Sequence, residues 1–410
     1  MRISTANLYA TSTTQLNNLQ SALARTQMQL STDRRMLTPA DDPVASARAL
    51  EVTQSQTMNA QFATNRDSAT SSLSLVDTTL QNAGNLIQEI QSLAVSAGNG
   101  TMLQSDRDKL ATELEGRLAD LLGVANTSDG AGGYIFSGYK TTTQPFTASP
   151  GGATYQGDQG VRQLQVSDSR KVPLSASGTA IFEAIPTGNG VFQTQALDGN
   201  KGSAIVSTGS VVDRSKLDSS KKYGIEFTVT ADTPAVTTYS VYDTSTNPRT
   251  PVPDQQGMAY QEGKQIAFGG MALYIKGTPA QGDKFSVEPS QKESVFKTVT
   301  DLISTLRLPA DGSTGKAELT NKLNSAINNL QNAQDNVLTN LASVGAHMKE
   351  LDYLSSAGDD LDLQYATTLN DLEGLDKVKA ISDFSQQQVT LQAAQMTFKT
   401  VSGLSLFNIL

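Results

Sequence analysis

The sequence predicts a mainly α chain with a β-rich insert: an elongated antiparallel helical bundle built from both chain ends, with the β domain inserted at the far tip. Three observations carry that expectation. Apolar residues recur by threes and fours over two long stretches, Leu73 to Ala97 and Leu323 to Leu354, which is the period of one helix face. Between Asp129 and Pro289 glycine, threonine, valine and proline take over, with alternating runs that suit half-buried strands. The helical stretches flank that insert in near mirror order, short then long before it and long then short after it, so two matching arms can fold back on one another.

At the N-terminal end, Leu16, Leu19, Leu23, Thr26 and Leu30 form a narrow stripe on a first helix whose other face is Gln, Asn, Ser and Thr. The run stops at Thr38-Pro39-Ala40-Asp41-Asp42-Pro43. Proline inside a helix clashes with the preceding turn, so this reads as a turn with Asp42 as N-cap and Pro43 as first helical residue. Leu73, Val76, Leu80, Ala83, Ile87, Ile90, Ala94 and Ala97 then step without a miss, and Ala69, Arg66, Asn59 and Ser55 continue the seam backward. A helix from Pro43 to Ala97 is roughly 80 Å long at 1.5 Å per residue and needs partner helices along its length. Gly98-Asn99-Gly100 reads as a left-handed glycine cap. A third helix is expected from Ser105 as N-cap, with Leu110, Leu114, Leu118, Leu121 and Ala125 on one face and a Glu113–Arg117 pair.

The alternating runs of the insert include KYGIEFTVT at 222–230, TTYSVYD and MALYIKG. Beyond it, Val295, Val299, Leu302 and Leu306 mark a short helix ending at Pro309. A second long helix runs from Lys316 through Leu323, Ala326, Leu330, Ala333, Val337, Asn340, Val344, His347, Leu351 and Leu354, weakening at Ser356-Ala357-Gly358. Ile381, Phe384, Gln388, Leu391, Ala394, Phe398 and Val401 define a last amphipathic helix. The domains follow: 1–42 with 366–410, 43–137 with 290–365, and 138–289.

Composition narrows the function. The 410 residues are 38% hydrophobic but only 6% aromatic, so the core is aliphatic and arranged in stripes. Net charge is −9 and the basic residues are scattered, which argues against nucleic-acid or anionic-membrane partners. There is no cysteine, hence no disulfide, thiol nucleophile or thiolate zinc site. The first residues lack an apolar stretch with a cleavage site, and no 18-residue apolar run occurs, so these features alone suggest a soluble cytosolic protein.

Chemistry-bearing patterns are absent. His347, the one histidine, sits at a stripe position without companion ligands and reads as a bundle residue. Asp359, Asp360 and Asp362 lack the glycine and closing glutamate of a calcium loop. The glycines of GAGGYIFSGYK do not have dinucleotide or P-loop spacing and instead supply turns and close backbone approach. No serine lies in a G-x-S-x-G elbow. No catalytic residue, metal site or cofactor is expected; a carboxylate pair hidden in the insert, of the kind that cleaves carbohydrate, needs no local motif and stays open.

What remains is assembly. Seams rich in Ala, Ser, Thr, Asn and Gln are too weakly apolar to hold isolated helices. For 43–125 and 316–355 the partner is the other arm of the same chain. The end segments 1–37 and 366–410 read instead as helices that fold on meeting neighbours, with Leu16, Leu19, Leu23, Leu30, Ile381, Phe384, Leu391 and Phe398 as intersubunit packing residues. A trimeric coiled-coil adhesin or phage fibre, with the heptads pairing between chains, is the alternative.

Several stretches together resemble the bacterial flagellin family: RISTAN, LTPADDPVASARAL, GGYIFSGYKTTTQPF (Gly132 to Phe146), ASVGAHMKELDYL (Ala342 to Leu354), and KAISDFSQQQVTLQAAQ with SLFNIL. The resemblance covers both arms and both termini and fails in the insert. YIFSGYKTTTQPF points to a family member joining hook to filament over the filament subunit, which remains the nearest rival. The resemblance implies a paired-terminus axial core domain that is disordered until assembly, a helical rod domain and an outer β domain. It implies flagellin, another hook-associated junction protein and copies of the chain itself as partners. It also implies export through the flagellar type III route without a cleaved signal, to a site outside the cell, which revises the cytosolic expectation. The absence of cysteine suits a chain that travels unfolded. Finally, it implies an export chaperone on the last helix, covering Phe384, Leu391, Phe398, Leu404, Leu406 and Phe407.

Overall fold

The computed structural model describes residues 5–230 and 235–404. The chain divides into two compact units, Met1–Arg66 with Asp352–Leu410, and Asp67–Leu351. Among the described residues six α-helices flank a β-rich region: α1 (Thr5–Thr32), α2 (Pro43–Ala97) and α3 (Gln104–Ala125) before it, α4 (Val295–Arg307), α5 (Gly312–Glu373) and α6 (Lys377–Leu404) after it.

In the Asp67–Leu351 unit the aliphatic stripes become the core. Every α2 stripe residue from Ala69 to Ala97 is at most 1% exposed, and Leu323, Leu330, Ala333, Val337 and Leu351 of α5 are equally enclosed. A Cβ on Gly84 would touch Val337 and one on Gly98 would touch Leu323, so the two helices run antiparallel. Each fully buried Leu or Ile contributes about 1.5–3 kcal/mol relative to an exposed one. Next to them α3 packs on α4, tied by Gln104 Nε2 to the Leu306 carbonyl at 3.0 Å and by Arg307 to Glu115 at 2.8 Å. Ser294 caps α4, accepting from Phe296 N at 3.2 Å, and Pro309 keeps Leu308 extended, which ends it.

Several boundary details differ from expectation. α3 starts at Gln104 behind an extended Leu103 with no side-chain cap, so Ser105 is not its N-cap. Neither Gly98 nor Gly100 takes a positive φ; α2 closes instead by tight bonds from Gly98 N to Val95 O and Asn99 N to Ser96 O. Arg117 pairs with Glu89 and Asp120 rather than with Glu113. α5 runs unbroken through Ser356-Ala357-Gly358. In the other unit a Cβ on Gly358 would lie 2.3 Å from an Arg66 guanidinium nitrogen, and Asn59 Nδ2 donates to the Gly358 carbonyl at 2.7 Å. That glycine therefore serves close helix approach. The seam turns through Gln56, which bonds Asp362 at 3.0 Å, while Ser55 is exposed.

The β region is antiparallel. Strands run in the order Thr250–Pro251, Thr237–Asp243, Tyr223–Val229, Lys284–Pro289 and Phe192–Ala196, with Met258–Ala259 also on Thr237–Asp243. A four-stranded sheet pairs Gln265–Phe268 and Met271–Lys276 through the tight turn Gly269-Gly270, where both residues need positive φ. The inward alternates Tyr223, Ile225, Phe227, Val241, Leu273, Ile275, Phe285 and Val287 share one core. Tyr260 closes it edge-on to Phe227, donates to the Gly277 carbonyl at 2.6 Å, and burial pushes its phenol up to about 12.

A row of asparagines on α5 binds this region. Asn321 donates to Ala204 O and accepts from Val206 N. Asn328 bonds Thr208, Asn329 accepts from Gly188 N, Asn332 donates to Pro186 O and Gly188 O, and Asn336 donates to Ala180 O and Ile181 O. Apart from Asn328, which meets the Thr208 hydroxyl, each amide meets backbone groups of strand ends or, for Asn336, of the turn Thr179–Glu183, which is how a polar helix face docks on β structure. Phe136, Phe146, Phe182 and Phe296, all fully enclosed, fill the adjoining space with ring centroids 5.0–5.7 Å apart.

Candidate assembly surface

In the unit formed by the two chain ends, α1 pairs with α6. Leu16, Leu19, Leu23 and Leu30 lie half-buried along α1 with Thr26 buried between them; Phe384, Gln387, Leu391, Ala394 and Phe398 are the half-buried row on α6. Thr26 Oγ1 hydrogen-bonds Gln387 Oε1 at 3.0 Å, and Tyr9 meets Phe398 edge to face at 5.8 Å. Gln387 thus takes the position expected of Gln388, which is exposed. No leucine of α1 among these is fully covered, so two helices alone remove only part of their apolar surface from water.

Ile381 falls outside that seam. With Val378, Val389 and Met396 it forms a second apolar row on α6, with relative exposures of 83% for Val378, 56% for Ile381, 66% for Val389 and 68% for Met396. At about 100° per residue this row points about 150° away from the row facing α1, with Val378, Val389 and Met396 nearly opposite it and Ile381 on the flank, about 100° from it. α6 is therefore apolar on two opposite faces, the pattern of a helix meant to be enclosed, and one face is open in the single chain. The side chain of Leu404 and the whole of Leu406 and Phe407 lie outside the described residues.

The breaks between helices meet in one cluster. Asp33 (φ 56) closes α1, with Arg34 N bonding back to Gln29 O at 3.3 Å. Asp41 accepts from Leu37 N and Thr38 N and pairs with Arg25 at 2.6 Å; those backbone donors, Thr38 first, hold its carboxyl below the usual range. Asp42 caps α2 as expected, accepting from Ala45 N at 3.0 Å, which likewise lowers its pKa. Across the other break, Arg35 N bonds Glu373 O at 2.7 Å, Arg35 Nη2 bonds Leu372 O at 2.9 Å, and Lys377 pairs with Asp33 at 2.8 Å. Arg34, Arg35, Asp41 and Asp42 thus have their partners inside the chain.

Other candidates resolve into structural roles. His347 lies 3.6 Å from Glu350, whose carboxylate is gripped by Arg170 and held below its ordinary pKa, chiefly by that guanidinium. Among the described residues no three His, Cys, Asp or Glu are grouped to hold a metal ion, and no helix is long and apolar enough to cross a membrane. A cleft of about 460 Å³ between α4, α5 and strand Phe192–Ala196 contains Lys297 and Lys322, each already paired with carboxylates. The second face of α6 and the asparagine row are the features that apolar periodicity missed. A period search run on each α6 face separately finds the first, and the spacing of Asn321, Asn328, Asn332 and Asn336 signals the second.

Residues 3–141 match the bacterial flagellin N-terminal helical region. Flagellar hook-associated protein 3 of Salmonella typhimurium is 28% identical over all of this chain and 99% of its own. The crystal structure of flagellar hook associated protein-3 from Legionella pneumophila is 32% identical with a TM-score of 0.73, covering 78% of this chain and 98% of that one. The crystal structure of FlgL from Xanthomonas campestris is 28% identical with a TM-score of 0.70, covering 78% and 99%.

Proposed function

The chain belongs to the flagellar hook-associated protein 3 family and is a structural component of the hook–filament junction of the bacterial flagellum; we propose that it joins the two by intersubunit packing of its terminal helices. The observation that carries this reading is the second apolar face of α6. A row of Val378, Ile381, Val389 and Met396 left in water costs free energy that a neighbouring helix recovers. The Leu16, Leu19, Leu23 and Leu30 row with Phe384, Leu391 and Phe398 then forms the inner layer of each terminal pair, and Ile381 belongs to the outer, intersubunit layer. Residues 1–42 with 366–410 are the axial core, ordered on assembly; 43–137 with 290–365 are the rod, and 138–289 the outer domain.

The neighbours in this reading are copies of the chain, flagellin and the other hook-associated junction protein. Before assembly, an export chaperone covers the apolar surface of the last helix, including Phe384, Leu391, Phe398, Leu404, Leu406 and Phe407. The chain leaves the cytoplasm without a cleaved signal and ends on the outside of the cell. Its role is mechanical, without a reaction. The test is complementation of cells lacking their own junction protein with Ile381→Glu and Val389→Glu, counting filament-bearing hooks by electron microscopy. A buried unpaired carboxylate at a packed face costs several kcal/mol, so the count falls by at least about tenfold while the purified variants keep the parent's circular dichroism. Full complementation by both variants refutes the reading.

A further inference from the structure

The open face of α6 has a counterpart on the same unit. From Glu350 to Asp376 the chain holds no Lys, Arg or His, and on the side of α5 turned away from Asn59 and Gln56 of α2 lie Asp352, Asp359, Asp360 and Asp371. None of these four carboxylates has an ion pair among the described residues. Between them Tyr353 and Leu363 are 71% and 69% exposed. The opposite sign marks the terminal pair: α1 carries Arg25 and no acid, and α6 carries Lys377, Lys379 and Lys399 against Asp383 alone. Lys379 flanks the open apolar row and also lacks an intrachain ion pair among the described residues. Spacing agrees as well: Tyr353 to Leu363 spans about 15 Å of helix and Val378 to Val389 about 16 Å.

Resting on the packing role just given to α6, we propose that the open face of α6 in one copy docks on the outer face of α5, residues 352–371, of a second copy. The two helices run antiparallel in this contact: Val378 meets Leu363 and Val389 meets Tyr353, and Lys379 meets Asp359 and Asp360 at the rim. An apolar centre with a complementary charged rim gives affinity at the centre and fixes register and partner at the edge. The intrachain pairing of α1 with α6 is untouched by this contact, because it uses the other side of α6. The same arrangement repeats from copy to copy, since each chain carries both halves.

Charge reversal and its repair test this in the full chain. In cells lacking their own junction protein, Lys379→Glu, and separately Asp359→Lys with Asp360→Lys, each lower the number of filament-bearing hooks by about tenfold or more, because like charges face each other. The three substitutions together restore the count. Since the chain has no cysteine, copies with Lys379→Cys mixed with copies with Asp360→Cys also give a disulfide-linked dimer on oxidation of assembled flagella. Loss without repair, or no loss at all, together with no such dimer, overturns the assignment of α5 as partner. The Ile381→Glu result tells whether α6 packs between subunits independently of these charges.

Discussion

Glu350 shows how a single residue couples two elements. Its carboxylate holds Arg170 of the hairpin Gln163–Pro173 against α5 and faces His347 on the next turn. Its folded pKa is depressed below the ordinary 4.5, chiefly by Arg170. A depressed carboxyl binds protons more readily when unfolded, so its contribution is full above about pH 4.5 and is lost as pH falls through the folded pKa. Glu350→Gln is therefore expected to lower stability at neutral pH and to flatten the acid limb of a stability–pH curve; an acid limb as steep as the parent's contradicts the role. The contribution is small because Arg170 is half exposed and Glu350 is only partly covered. Pairings of this kind were not legible in the sequence, since positions 170 and 350 are brought together only by the fold. Asp42 was legible because an N-cap and the proline after it are neighbours in the chain, whereas the glycine cap at Gly98 failed because two glycines permit a left-handed turn without requiring one.

At the scale of elements, the long aliphatic stripes read directly from sequence because burial against one partner imposes one period. α5 departs from that simplicity: one face is aliphatic toward α2 and another is amide-rich toward the β region. Asn332 donates to two carbonyls. Asn332→Ala leaves both half-buried acceptors short of a donor, at a cost of about 1 kcal/mol, and lowers the melting temperature by about 2–4 °C per kcal/mol; calorimetry showing no change would remove the row from the docking account. The apparent weak point at Ser356-Ala357-Gly358 has the same origin, as small residues there admit Arg66 and Asn59. α6 misled in the other direction: its row through Phe384, Leu391 and Phe398 was visible, but Ile381 sits about 100° round the helix from it, outside the seam, and residue periodicity alone does not tell which of two apolar faces meets the chain's own α1.

For the whole molecule, the contrast lies between a unit that finishes its own core and one that does not. Residues 67–351 build a fully enclosed aliphatic and aromatic core within one chain, while the terminal pair leaves both its seam half-covered and a second face open. The strand order of the insert could not be read from its alternating runs, because strand pairing is set by nonlocal contacts and turn geometry; the positions of its strands could. Hydrogen exchange of the free chain and of the chain in assembled flagella tests the central claim most directly. The expected result is fast exchange in α1 and α6 of the free chain, slow exchange in α2 from Asp67 onward and in α5 up to Leu351, and strong protection of α1 and α6 only after assembly. Terminal helices as protected in the free chain as α2 would contradict it.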